Sequence, residues 1–202
     1  MPIIFSKKVD PYTSLSVWHI NETEEELLKD LQLSKKDLNS ILSLRLAKRR
    51  KERIACRKAL AFLMQTSDID ISYGKSGEPL MEGYHISFSH SGEYAAAIVS
   101  KTKKVGIDIE RISEKILNLY PKFVNEEELK FLDFKNPKEI TQIWSAKEAI
   151  YKLSSGKSPD FLHNIFIDKS LHSASLIFSE EKVNIDLVHW AWEGLIIVAA
   201  SV

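Results

Sequence analysis

The chain has 202 residues, and its 28 Lys and Arg are balanced by 28 Asp and Glu, so the formal net charge is zero. Hydrophobic residues make up 44%, which suits a folded chain with a sizeable core and excludes an extended disordered one; 7 Gly and 6 Pro exclude collagen. A single cysteine, Cys56, excludes an intramolecular disulfide framework and a cysteine-rich zinc site, and points to a reducing cytoplasm. The opening MPIIFSKKVDPYTS lacks the long apolar core of a signal peptide, and no apolar stretch approaches the roughly 18 residues of a membrane span, so no membrane is expected. Zero net charge also argues against polyanionic partners, but a sum says nothing about distribution.

Residues 15–20 alternate Leu, Val and Ile with Ser, Trp and His, which is a strand pattern. Thr23 followed by Glu26 has the capping-box spacing and predicts a short helix over 24–31; Ser34 is placed to cap another. Neither Gly nor Pro interrupts residues 41–64, where Leu42, Leu46, Ile54, Leu60 and Leu63 recur at roughly helical spacing. This predicts a long helix, whole or broken near its basic cluster. Residues 70–73 read as a short strand and 74–83 as turn-rich. Residues 85–88 and 94–100 predict a strand pair around a turn at His90-Ser91-Gly92, and 105–110 a further strand. The second half repeats the order loosely. Helical patterns cover 117–120, 126–131 and 137–152, and strands fall near 165–167, 174–178, 183–188 and 195–201. The predicted class is α+β, in two packed similar halves, residues 1–103 and 104–202, joined at the polar connection 101–104.

Four segments carry candidate chemistry. In Gly106-Ile107-Asp108-Ile109-Glu110 a strand puts Asp108 and Glu110 on one face, with Cα atoms about 6.5 Å apart, and Ile107 and Ile109 on the other. Paired carboxylates suit a hard divalent cation such as magnesium, or else form a solvated face beside Arg111 and nearby lysines. In the run from Trp144 to Lys152 a helix aligns Trp144, Glu148 and Lys152 at i, i+4 and i+8. Glu148 can then add a third carboxylate and Lys152 a phosphate contact, or the two form an ordinary i,i+4 pair. Ile86-Ser-Phe-Ser-His-Ser-Gly92 offers hydroxyl and imidazole donors to a phosphate, or is a plain turn. Between Arg45 and Lys58 stand eight basic residues and one acid, Glu52, which suits nucleic acid, an acidic protein or a phosphate-rich small molecule, or else is a solvated helix face.

Taken together and in order, I-S-F-S-H-S-G, G-I-D-I-E and W-S-A-K-E-A-I-Y-K resemble the 4′-phosphopantetheinyl transferase superfamily, in its larger, surfactin-synthetase-activating type. The match covers roughly residues 42–152. It implies two similar α+β subdomains, 1–103 and 104–202, each with helices packed on a small antiparallel sheet, arranged as a pseudo-two-fold dimer in a monomeric, cytoplasmic chain. It implies transfer of the phosphopantetheine arm of coenzyme A to a serine of an acidic apo carrier protein, with release of adenosine 3′,5′-bisphosphate, the activity of a holo-[acyl-carrier-protein] synthase. Asp108, Glu110 and Glu148 match the magnesium ligands, and Lys152, Ser89 and His90 match residues that contact the coenzyme A phosphates. Arg57 matches an arginine of the preceding helix, with Arg50 and Arg53 as looser matches. Glu128 aligns with a glutamate implicated in proton removal, so Glu148 and Glu128 both stand as candidate bases. Gly77-Glu78-Pro79 departs from the family's Gly-Lys-Pro, with Lys75 as the nearby substitute, which puts cofactor contact at this loop in question.

The chemistry follows from charge. An anionic pyrophosphate repels a nucleophile unless cations neutralise it, and the nucleophilic serine belongs to the partner, so no Ser–His–Asp triad is needed. The competing reading is a magnesium-dependent nuclease or nucleic-acid-binding module, which leaves Ser89-His90-Ser91 and the Trp144–Lys152 segment without a task. A binding protein that keeps the fold without catalysis is the third.

Overall fold

Hydrophobic alternation and side-chain capping account for most elements of the computed structural model, which describes residues 2–154, 156–179 and 181–202. The chain divides into two units, Met1–Lys104 and Val105–Val202. Unit 1 runs β1 (Ile3–Asp10), β2 (Thr13–His19), α1 (Glu24–Leu28), β3 (Gln32–Leu33), α2 (Lys35–Leu42), α3 (Ala47–Met64), β4 (Asp68–Ile69), β5 (Ser72–Tyr73), β6 (Pro79–Leu80), β7 (His85–Ser91) and β8 (Tyr94–Ser100). Unit 2 runs β9 (Val105–Arg111), two 3-10 turns (Glu114–Asn118 and Tyr120–Lys122), α4 (Glu126–Leu129), α5 (Pro137–Leu153), β10 (Ile165–Ile167), β11 (Ser173–Phe178), β12 (Glu181–Trp192) and β13 (Leu195–Ser201). Helices and antiparallel main sheets make the class α+β.

In unit 1 the main sheet has the order β1-β2-β8-β7, and α3 packs on β2 and β8. The small side chains of Ala95 and Ala97 on β8 leave room for the helix, and Ser16 Oγ donates to the Ala59 carbonyl at 2.9 Å. In unit 2 the order is β10-β11-β12-β13-β9, and α5 packs on β9 and β13. The two units share a connectivity. A strand is followed by a long helix and later by a hairpin, and the first strand pairs antiparallel with the hairpin's last: β2-β8-β7 in one, β9-β13-β12 in the other.

The structure departs from the sequence expectations at several elements. Edge strand β1 was not foreseen, because Lys7-Lys8 breaks its alternation and its register to β2 is irregular at both ends. Helix α1 has the expected capping box, Thr23 with Glu26, but stops at Leu28, since the chain turns into a positive φ at Asp30. Of the two alternatives for the long helical run, the broken one holds: it is interrupted between Leu42 and Ala47, ahead of most of the basic cluster, and Arg50 Nη1 bonds the Leu44 carbonyl at 2.8 Å in that break. The β7–β8 turn is Gly92-Glu93, not His90-Ser91-Gly92. Gly92 takes a φ of 62°, which permits a two-residue hairpin and keeps His90 and Ser91 in the ladder.

Helix α5 lies against β9 at Gly106. A Cβ there would stand 2.0 Å from the Ala149 carbonyl oxygen and 2.9 Å from its carbon, so the approach is possible only for glycine. Gly106→Ala is expected to cost about 1–3 kcal/mol through overpacking, read as a lowered thermal midpoint. An unchanged midpoint would contradict the close approach.

Candidate functional site

The acidic cluster of unit 2 is built by this helix-on-strand contact. Gly106, Asp108 and Glu110 alternate on β9 and pair with Ala200, Val198 and Ile196 of β13, which belong to the core under α5. Ile107 and Ile109 point the other way and are fully buried. Asp108 is buried, and its Oδ1 accepts from Lys152 Nζ at 2.7 Å; the same ammonium donates to the Ile107 carbonyl at 2.9 Å. Lys152 therefore reaches across to β9, so the simple i,i+4 pair with Glu148 is not its partner here. The Glu148 carboxyl is raised above the ordinary glutamate value, first by burial and then by the charge of Asp108; Lys152 opposes and Glu110 adds. Three carboxylates thus share one electrostatic neighbourhood, answered in part by one ammonium.

Among the described residues no three His, Cys, Asp or Glu side chains form a ready-made metal-binding group. The donor chemistry nevertheless fits a hard divalent cation. Asp108, Glu110 and Glu148 are oxygen donors, and the charged form of Glu148, disfavoured first by burial and then by the charge of Asp108, would be favoured by a second positive charge.

The remaining candidates of this half serve the fold. Glu128 is 1% exposed and pairs with fully buried Lys147 at 2.8 Å. Its other contacts are the backbone N–H groups of Ile167 at 2.8 Å and Asn125 at 3.0 Å, the latter completing a capping box on α4. Glu128, expected from the resemblance as a candidate base, has both oxygens engaged by these partners. Trp144 stacks edge-on to Phe123 with ring centres 5.0 Å apart and lies near Phe161, as part of the core margin. Lys147 was missed by the sequence reading. A signal existed, since Ile140, Ile143, Lys147 and Ile150 recur at helical spacing on one stripe, and a lysine within an apolar stripe must find a partner.

In unit 1 the basic run is largely spent within the fold. The Arg57 guanidinium is buried and held by Asp37 through two bonds, 2.9 Å from Nε and 2.7 Å from Nη2, with the Arg53 carbonyl and the Tyr73 hydroxyl as further partners. Burial works against its charge, but Asp37 and Tyr73 outweigh it and the guanidinium stays firmly ionised. Arg50 Nε bonds both oxygens of Glu24 at 2.9 Å. Arg53 lies over the Tyr73 ring at 5.6 Å. Arg50 and Arg57, expected as phosphate contacts, are thus each paired with an acid of the fold. Asp37 and Glu24, far away in sequence, neutralise them.

Ser89 and His90 are neighbours on β7, so alternation sends them to opposite faces. Ser89 is buried; His90 is exposed and meets α3, with Nδ1 3.6 Å from Glu52 and Nε2 3.4 Å from Arg49. Glu52 is itself buried and bonds Arg49 at 2.9 Å. Lys75 is exposed, while Glu78 folds back over Gly74 and accepts from the Ser76 N–H at 3.1 Å. That contact gives the glutamate of the Gly-Glu-Pro loop a task in closing the turn.

Comparison with known proteins agrees with the second-half motifs. Residues 104–198 match the family model of the 4′-phosphopantetheinyl transferase superfamily. A 4′-phosphopantetheinyl transferase of Bacillus subtilis is 32% identical over 84 residues, 40% of this chain and 37% of that protein. The 4′-phosphopantetheinyl transferase gsp of Aneurinibacillus migulanus is 28% identical over 133 residues, 62% of this chain and 55% of that protein. The chain thus spans between about a third and just over half of the length of these relatives.

Two outcomes follow from the geometry. Arg57→Ala leaves Asp37 buried without its cation, so it should destabilise the protein by about 3–5 kcal/mol in urea unfolding; a loss below about 1 kcal/mol would restore a ligand-facing role for this arginine. Glu148→Gln should stabilise the cation-free protein. The native carboxyl is raised, so the wild type loses stability as pH climbs from the ordinary glutamate value through the folded one, and the variant's advantage should appear over that climb and vanish at lower pH. Equal stability of the two at neutral pH would contradict the shared repulsion.

Proposed function

We propose that this chain transfers the 4′-phosphopantetheine group of coenzyme A to a serine of an acidic apo acyl or peptidyl carrier protein, with magnesium, and releases adenosine 3′,5′-bisphosphate. The observation that carries this reading is the meeting of Asp108, Glu110, Glu148 and Lys152 within the segment that matches the superfamily. Both relatives described above bear the name 4′-phosphopantetheinyl transferase.

Asp108, Glu110 and Glu148 would hold the magnesium ion, which when bound neutralises the pyrophosphate and the charge that develops on it. Lys152, tethered by Asp108 and the Ile107 carbonyl, keeps a positive charge beside that position for an incoming phosphate. Glu148 is the better proton acceptor for the carrier serine. It is only half-buried and lies beside Asp108, whereas Glu128 is enclosed. In unit 1, His90, Ser89, Arg53 and Lys75 are the proposed coenzyme A contacts, while Arg50 and Arg57 hold the scaffold. Arg45, Lys48 and Arg49 remain exposed and suit an acidic carrier helix.

The larger type, the two halves as transferase subdomains in pseudo-two-fold relation, the monomeric state and the cytoplasmic location belong to the same proposal. Among the described residues no helix is long and apolar enough to cross a membrane. The nuclease reading is the weaker one, since it leaves Ser89-His90-Ser91 and the Trp144–Lys152 segment without a task and no comparison points to it.

The test is to incubate the protein with coenzyme A, magnesium and apo carrier protein and weigh the carrier by mass spectrometry. A gain of one phosphopantetheine is expected with the wild type and none with Asp108→Ala, whose circular dichroism should match the wild type. No gain across fatty-acid, polyketide and peptide-synthetase carriers would reject the proposal.

A further inference from the structure

We infer that the buried Lys147–Glu128 pair is a positioning device that holds Glu148 against Asp108 and Glu110. This rests on the reading of the three carboxylates as a cation site.

The pair is the most enclosed ionic contact of unit 2, with exposures of 0% for Lys147 and 1% for Glu128. Lys147 Nζ uses three acceptors: Glu128 Oε2 at 2.8 Å, the Phe161 carbonyl at 2.7 Å and the Ile165 carbonyl at 3.0 Å. An ammonium has three protons, so its donors are all engaged. Glu128 accepts from two backbone N–H groups besides. One residue of α5 is thereby tied to α4, to β10 and to the segment before β10.

Glu148 is the next residue, and Ala149 follows with its carbonyl pressed on Gly106 of β9. Glu148 thus sits between two adjacent fixed points of the same helical turn. Rotating or sliding α5 to move Glu148 away from β9 would break the directional bonds of Lys147 or drive Ala149 into the strand.

Unit 1 repeats the device without the chemistry. Arg57 stands ten residues after the first residue of α3, and Lys147 ten residues after the first residue of α5. Their acids, Asp37 and Glu128, are each the third residue of the short helix before the long one. In unit 1 the residue after the clamp is Lys58, a base where unit 2 has the acid Glu148. The acid at this place therefore belongs to the scaffold in both halves, and in unit 2 the scaffold has Glu148 beside its clamp.

The experiment uses manganese alone as the probe, its binding followed by electron paramagnetic resonance without coenzyme A, together with thermal midpoints and transfer kinetics. Four proteins are compared: wild type, Asp108→Ala, Glu128→Gln and the double variant Lys147→Met with Glu128→Leu. Removing both charges avoids stranding one of them, so the double variant should remain folded. Its manganese affinity should nevertheless fall about tenfold or more, because displaced ligands bind less well. Glu128→Gln should likewise weaken manganese binding. Wild-type affinity in the double variant, or a kcat loss in Glu128→Gln with manganese affinity intact, overturns the inference while leaving the cation site standing. A wild type that binds no manganese, or an Asp108→Ala variant that binds as well as wild type, overturns the cation site and the inference together.

Discussion

The arrangement of the candidate site depends on one steric constraint, the contact between the backbone of α5 and the hydrogen that serves as the side chain of Gly106. Because no Cβ intervenes, the helix lies directly on β9, and residues one turn apart on the helix meet residues two apart on the strand. Lys152 then reaches Asp108 and the Ile107 carbonyl, and Glu148 feels Asp108 and Glu110. Any larger residue at position 106 would lift the helix and dissolve the neighbourhood. The glycine of G-I-D-I-E is thus as much a part of the site as its two acids.

Charge distribution follows a different logic in each unit. Part of the basic run of α3 works as internal structure: Arg57 with Asp37 and Arg50 with Glu24, acids that sequence distance conceals, and Arg49 with its near neighbour Glu52. In unit 2 the Glu148 carboxyl is raised, first by burial and then by the charge of Asp108, with Lys152 opposing. Sites that bind charged ligands tend to be under-compensated in their absence, because the ligand supplies the missing charge. By that criterion the acidic cluster has the stronger claim to a ligand, and the basic helix a weaker one than its composition implied.

Local signals were legible in the sequence, and long-range pairings were not. The capping pairs Thr23 with Glu26 and Ser34 with Asp37, the strands β10 and β13, and the shared face of Asp108 and Glu110 depend on neighbours within a few residues, and spacing alone reveals them. Edge strand β1 escaped because an edge needs no clean alternation. The turn at Gly92-Glu93 escaped because polar residues such as His90 and Ser91 look like turn residues until glycine's positive φ shortens the loop. The roles of Arg57 and Glu128 escaped for a deeper reason. Their partners lie about twenty residues away on other helices, and only the folded chain says which charges are buried together. A hint was present in both cases: Arg57 and Lys147 occupy positions that helical period gives to the core.

That hint explains why such charges persist. A leucine in either place would bury apolar area without the cost of desolvating two ions, and apolar replacements of buried pairs are often neutral or stabilising. Apolar contacts, however, tolerate small rotations and slides of a helix, because one methyl replaces another at little cost. An ammonium with three acceptors does not, since its bonds weaken steeply with angle and an unmade one leaves a buried polar group unsatisfied. The two units apply this with different chemistry. Arg57 places a planar fork on the two oxygens of Asp37, while Lys147 gathers one carboxylate and two carbonyls around a point charge. The lysine joins three segments at one atom. That is the stronger constraint on the helix that carries Glu148, whose useful distance from the strand has little room for error.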